Sequence, residues 1–143
     1  MDMPATTGER IQEIFERFGP ELDAALIEAE PMYHPDMVFK DPLHTLYGRE
    51  AFMEMNRRLM RRFHHIRFDI GERLESDHAI FLTWTMTMTS RLGPTLVVPG
   101  VTHIRLEDGL IVEHIDYWDI LGSVMDSLPL LGPAYRSMMA QLG

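Results

Sequence analysis

From Thr83 to Thr89 the chain alternates without a break: Thr83, Thr85, Thr87 and Thr89 take one parity, and Trp84, Met86 and Met88 the other. Only an extended strand places alternate residues on opposite faces, so the pattern predicts a β-strand over His78–Ser90 with one large apolar face and one hydroxyl face. The Trp84–Met86 face is taken as a pocket wall, with the threonine face turned inward as the alternative. Ile66–Glu75 precedes this strand across a Ser76-Asp77 turn, and Thr95–Leu106 follows it after Leu92-Gly93-Pro94. The latter is read as bulged or bent at Pro99-Gly100. Glu107-Asp108-Gly109 then turns into a last strand, Val112-Glu113-His114-Ile115-Asp116-Tyr117-Trp118-Asp119.

Helices flank the strands. Thr6 and Glu9 stand at capping-box spacing ahead of Ile11, Ile14, Phe15 and Phe18. Gly19-Pro20 ends that helix, and Leu22, Ala25, Leu26 and Ala29 give a second one a small apolar face that stops at Pro31. Met32–Leu46 is irregular, with turn chemistry at His34-Pro35-Asp36 and a short strand, Met37-Val38-Phe39, ended by Asp41-Pro42. A third helix, Arg49 to about Phe63, buries Phe52, Met55, Leu59 and Phe63 and turns Arg57, Arg58 and Arg61 to water. After Asp119 the chain is helical again, with Leu131, Tyr135, Met138, Met139 and Leu142 forming a last apolar stripe. Helices, an antiparallel meander and a helical tail make an α+β order. The 143 residues are expected to form one domain, the N-terminal helices packed on the concave face of a curved antiparallel sheet and enclosing a cone-shaped pocket.

A net charge of −9 disfavours nucleic acid and anionic membrane surfaces as partners. With no cysteine there is no disulfide framework and no thiolate chemistry. Met1-Asp2-Met3-Pro4 shows neither a basic nor an apolar leader segment, and no apolar run approaches a membrane span, so a cytoplasmic location is expected. The seven histidines form no compact ligand motif, and phosphate-loop, dinucleotide and nucleophile-elbow fingerprints are missing. Neither a metal nor a cofactor is expected.

The pocket residues follow from the last hairpin. A two-residue turn at Asp108-Gly109 places His103 opposite His114. A three-residue Glu107-Asp108-Gly109 loop places Thr102 there instead. The three-residue register is preferred because it collects His103, Arg105 and Glu113 on one solvated face. The other face then holds Thr102, Ile104, Leu106, Val112, His114, Asp116 and Trp118, with Gly100 opposite Asp116. Burying an unpaired Arg105 or Glu113 would cost several kcal/mol, on the order of a desolvated charge. Cα atoms two residues apart lie about 6.5 Å from each other. That separation predicts a shared substrate or water between His114 and Asp116 rather than a direct bond. Two titratable groups in an apolar wall suit proton transfer near neutral pH. Asp41, with His44 nearby, is a second carboxylate candidate, or else a turn cap. Asn56 either points into the cavity or bonds local backbone.

Met32-Tyr33-His34-Pro35-Asp36-Met37-Val38-Phe39-Lys40-Asp41-Pro42 and His114-Ile115-Asp116-Tyr117-Trp118-Asp119, in this order of elements, resemble the SnoaL-like branch of the nuclear transport factor 2 superfamily. That superfamily includes ketosteroid isomerase, scytalone dehydratase, limonene epoxide hydrolase and the polyketide cyclases. The resemblance implies a cone-shaped, cystatin-like fold and a homodimer formed through the outer sheet face. It implies that Asp41 matches the general base of ketosteroid isomerase and that Thr102 stands at its oxyanion-hole aspartic acid. The oxyanion-hole tyrosine falls near Phe15 or Phe18 and is missing. Asp116 matches an active-site aspartate of limonene epoxide hydrolase, whose partners on the preceding long strand fall among Thr83–Thr87. His114 with Asp116 is similar in kind to the acid/base pair of the cyclases.

The expectation is therefore a cofactor-independent acid/base enzyme for a small apolar carbonyl or epoxide compound. Asp116, Asp41 and His114 are the candidate catalytic residues. Trp118, Thr102, Ile104, Trp84, Met86, Asn56, His44 and Phe15 are the candidate substrate contacts. The alternative is a ligand-binding or accessory domain that uses the same cone.

Overall fold

The computed structural model describes residues 3–143; Met1 and Asp2, part of the stretch read for a leader, lie outside the described residues. Helix α1 (Thr7–Arg17) starts on a capping box, in which the Thr6 side chain accepts from the Glu9 amide and the Glu9 carboxylate accepts from the Thr6 amide. Helix α2 (Leu22–Ala29) runs into a single 3-10 turn at Glu30–Met32. Strands β1 (Tyr33–Lys40) and β2 (Thr45–Tyr47) precede helix α3 (Arg49–Arg62). Four long strands follow: β3 (His65–Glu75), β4 (Ala79–Thr89), β5 (Leu96–Glu107) and β6 (Leu110–Trp118). Helices α4 (Ile120–Asp126) and α5 (Leu131–Ala140) end the chain. No helix among the described residues is long and apolar enough to cross a membrane.

The six strands form one curved sheet in the order β2-β1-β6-β5-β4-β3. The α+β cone is as expected, but the sheet is mixed, because β1 lies parallel to β6 while every other pair is antiparallel. Strand β1 also starts four residues earlier than the expected Met37. His34-Pro35-Asp36 does form a local turn, with the Asp36 amide donating to His34 Nδ1. That turn sits inside the strand as an irregularity between the Tyr33–Ile111 and Val38–Glu113 pairs. A proline cannot donate to a ladder, so the strand bulges out around it and rejoins β6. Tyr33, Met37 and Phe39 are consequently all buried on the inner face.

The alternation in β4 resolves in favour of the apolar face: Ile80, Leu82, Trp84, Met86 and Met88 are buried beneath the helices, and the threonines lie on the outer face. No bulge interrupts strand β5 at Pro99-Gly100, where Thr85–Pro99 and Trp84–Gly100 are paired in unbroken register. The proline is tolerated because β6 ends at Trp118, opposite Gly100, and offers Pro99 no ladder partner. Gly100 is needed for another reason: a Cβ there would lie 2.3 Å from Trp84 Cη2. Helix α5 departs from expectation, since Met138, Met139 and Leu142 remain exposed and its main neighbour is α4.

The β5–β6 hairpin follows neither of the two registers considered above along its whole length. Asp108 (φ 49°) and Gly109 (φ 77°) are both left-handed and make a two-residue turn that pairs Glu107 with Leu110 and Leu106 with Ile111. A bulge then leaves Val112 without a partner, and Arg105 pairs with Glu113. The expected three-residue loop is therefore replaced by a tight turn plus a bulge. The face assignment of His114, Asp116 and Trp118 is unchanged, but Thr102 pairs with Asp116, Ile104 with His114 and Gly100 with Trp118. Ile111, rather than Val112, joins the core.

Overfilling a packed core costs about 1–3 kcal/mol. Gly100→Ala is expected to lose that much stability in urea denaturation and to alter the near-ultraviolet dichroism of Trp84. An unchanged midpoint would show that the indole is not held against this glycine.

Candidate functional site

A cavity of about 530 Å³ lies between the sheet and the helices. Its wall is largely apolar, with Ile14, Phe15 and Phe18 from α1, Met55, Leu59 and Phe63 from α3, and Trp84, Met86 and Met88 from β4 among its residues. Such a wall follows from periodicity: each of these elements turns one apolar face to the centre.

The polar groups gather on β6. His114 is 2% exposed and is surrounded by aromatic rings: Phe15 and Tyr33 stack at 6.1 and 6.0 Å, and Phe39 and Phe52 approach at 5.3 and 5.2 Å. Both ring nitrogens have partners. The Tyr33 hydroxyl meets Nδ1 at 2.9 Å, and Nε2 meets Asp116 Oδ1 at 2.9 Å. An ionised carboxylate only accepts, so in the neutral ring these partners place the proton on Nε2, donating to Asp116, with the Tyr33 O–H donating to Nδ1. The direct His114–Asp116 bond corrects the expectation of a bridging molecule: the Cα separation is spanned by the two side chains leaning toward each other.

Asp116 Oδ1 accepts a second hydrogen bond, from Thr102 Oγ1 at 2.6 Å, and Thr102 in turn accepts from the Trp84 indole at 2.8 Å. A chain of donors thus runs from two directions onto one oxygen: Tyr33 through His114, and Trp84 through Thr102. Oδ2 accepts no hydrogen bond from the described residues, and the Asp116 side chain, 23% exposed, lines the cavity. Burial, and secondarily the negative charge of Asp116, push the Tyr33 phenol far above its ordinary value of 10.0.

The other candidates fall in distinct places. Asp41 lines the cavity, yet its Oδ1 accepts from the amides of Leu43 (2.8 Å) and His44 (2.6 Å) and faces His44 Nδ1 at 3.1 Å, which is the turn-cap arrangement. Asn56 meets both of its alternatives: it lines the cavity while Nδ2 donates to the Phe52 carbonyl at 2.9 Å. Phe15, Trp84, Met86, His44 and Trp118 all reach the cavity wall. Thr102 and Ile104 do not; both are fully buried on the inner face, Thr102 bonded to the Trp84 indole and Ile104 paired with His114. No three His, Asp or Glu side chains among the described residues converge with ligand geometry.

Periodicity starts the strand at Met37 and so does not reveal Tyr33. The available signal was a lone aromatic between Pro31 and Pro35, too short for an alternation to register. Arg58 is exposed, as expected of the solvated arc, and with Arg62 it also borders the cavity.

Residues 10–114 match the SnoaL-like domain family. The chain belongs to that family. Several solved structures share the SnoaL-like fold at low identity. A protein of ketosteroid isomerase-like fold from Catenulispora acidiphila, in complex with trimethylamine, is 18% identical with a TM-score of 0.71, over 85% of this chain and 93% of that one. A putative SnoaL-like polyketide cyclase from Jannaschia sp. CCS1 is 16% identical with a TM-score of 0.70, over 92% and 98%. An epoxide hydrolase from M. tuberculosis, described as like limonene epoxide hydrolase, is 12% identical with a TM-score of 0.69, over 94% and 93%. No curated protein matches the SnoaL-like chain in sequence.

The sign of the Tyr33 effect on stability is fixed. The folded state holds the phenol proton more tightly than the unfolded chain, so Tyr33 costs nothing below about pH 10 and removes about 1.4 kcal/mol per pH unit above it. Tyr33→Phe is expected to abolish that alkaline slope. It should also lose about 1–3 kcal/mol at neutral pH, because Nδ1 of a buried histidine is left unpaired. Urea titrations of both proteins from pH 7 to 11 check this, and identical alkaline slopes would refute it.

Proposed function

We propose that this SnoaL-like protein is an acid/base enzyme that acts, without a cofactor, on a small, largely apolar carbonyl or epoxide compound, with Asp116 moving the proton. One observation carries the reading. The carboxylate is anchored through Oδ1 by two donors that are themselves held, and Oδ2 is left toward an apolar cavity. A base fixed in this way needs little reorganisation as charge shifts in the transition state.

In the proposed step Oδ2 takes a proton from a carbon next to a carbonyl, and the C–H electron pair moves into the enolate. For an epoxide, Oδ2 takes a proton from water as that water attacks carbon, and the C–O pair leaves with the ring oxygen. The protonated acid then returns its proton to carbon or to the alkoxide. His114 and Thr102 act as positioning residues, since neither has a polar atom left to touch substrate in the tautomer described. The cavity volume falls within the range of small-molecule sites, about 300–1,000 Å³. The epoxide hydrolase and cyclase likenesses support the same class of chemistry.

A second reading, a ligand-binding domain without turnover, is favoured by Asp41. The ketosteroid isomerase resemblance makes this residue a base, but here its Oδ1 is occupied by a turn.

The test uses a panel of cyclic ketones and cyclic epoxides, with deuterium exchange next to the carbonyl and diol formation followed by NMR. Asp116→Asn is expected to lower turnover by about 10²–10⁴-fold with little change in KM, the usual weight of a general base. Binding of panel members without exchange or hydrolysis would move the assignment to the second reading. Turnover unaffected by Asp116→Asn would remove Asp116 from the chemistry.

A further inference from the structure

Helix α3 carries five arginines, and their surroundings separate them. Arg49 donates to the carbonyls of Glu30 and Tyr33. Arg57 and Arg61 both face Glu54, at 3.8 and 3.0 Å. Arg58 and Arg62 have no carboxylate oxygen within 4.0 Å among the described residues, and both border the cavity. They are one helical turn apart and therefore neighbours on one face, where two like charges repel. The helix dipole favours a cation in the last turn, which accounts for Arg61 and Arg62 but not for Arg58, a turn earlier.

Leu43, His44 and Val124 are the cavity's other exposed residues, and Leu59, Phe63, Met88 and Leu96 line the wall; the carboxylates of Asp41 and Asp116 also line it, each hydrogen-bonded through Oδ1 and neither within 4.0 Å of Arg58 or Arg62. In a chain of net charge −9, two uncompensated guanidinium groups beside an apolar cavity form a local exception. Guanidinium groups pair with carboxylate and phosphate through parallel N–H donors, and their exposed side chains are free to close on such a group.

The geometry points to an amphipathic anion as the ligand: an apolar body inside the cavity, its reactive carbon toward Asp116, and a carboxylate or phosphate held between Arg58 and Arg62. This rests on the reading of the cavity as a ligand site and narrows it from any apolar compound to one that bears an oxyanion.

Three probes with one apolar body separate the possibilities: 2-naphthoate, 2-naphthyl phosphate and the neutral methyl 2-naphthoate. The chain has two tryptophans, Trp84 and Trp118, and both line the cavity, so their indole N–H resonances report occupancy at this site. At least one anion is expected to bind about tenfold tighter than the ester or better, the scale of one charge-assisted hydrogen bond, and which one does so identifies the oxyanion. The double substitution Arg58→Gln/Arg62→Gln should bring that anion down to the affinity of the ester and leave the ester unchanged. Arg58→Glu/Arg62→Glu should invert the preference, and Arg57→Gln/Arg61→Gln should leave all three probes unaffected. Equal affinities in the unmodified protein, or a preference that survives the double substitution, would overturn the anion assignment alone. Failure of all three probes to move either indole would overturn it together with the ligand-site reading.

Discussion

The hydrogen bond from Tyr33 to His114 joins the first strand of the sheet to the last, and the polar arrangement in the cavity hangs on it. It is possible only because β1 and β6 run side by side in parallel, with Phe39 opposite His114 and the Tyr33 end of β1 brought back by the irregularity at His34-Pro35-Asp36. A buried imidazole with one free nitrogen would carry the desolvation cost of that nitrogen. Here both are used, and the donor on one side dictates which side of the ring faces the carboxylate. Asp116 is thus oriented by a residue about eighty positions earlier in the chain.

Much of this was legible in the residues. Alternation marked β4, turn signals bounded β3 and β5, the capping box marked the first helix, and the parity of β6 put His114, Asp116 and Trp118 on one face. What failed was local. Tyr33 lies before a proline-containing irregularity, where two-residue periodicity breaks and no pattern survives to be read. The direct His114–Asp116 bond depends on side-chain torsions that spacing along a strand does not encode. The burial of Thr102 behind Trp84 follows from the missing side chain at Gly100, which lets the indole settle onto the neighbouring strand. The preferred three-residue loop does not form; the tight Asp108-Gly109 turn does, and the expected facing of β6 survives because the bulge at Val112 restores the parity.

Polar and apolar demands are divided within the cavity. The helices and β4 supply surface that excludes water, and β6 supplies the groups that need to be kept from it. Excluding water strengthens each hydrogen bond in the Tyr33–His114–Asp116–Thr102–Trp84 chain and makes an interruption of it expensive. Asp41, nearer the exposed edge, spends its oxygen on backbone amides instead, so two carboxylates of similar chemistry hold different duties by position alone.

The unpaired Val112 has a consequence for how the chain reaches this state. If the tight turn propagated without the bulge, β6 would present Glu113, Ile115 and Tyr117 to the core in place of His114 and Asp116. By apolar content, Ile115 and Tyr117 are the better interior residues, so local hydrophobicity favours the inverted strand. What opposes it is the charge of Glu113, now beside Lys40 and Arg105, and the donor chain that only the native face completes. The strand is locally frustrated: its two faces compete, and polar partners decide between them, Arg105 and Thr102 from within the hairpin and Lys40, Tyr33 and Trp84 from elsewhere in the chain. The polar groups that shape the candidate site therefore also help fix which face of β6 is turned inward.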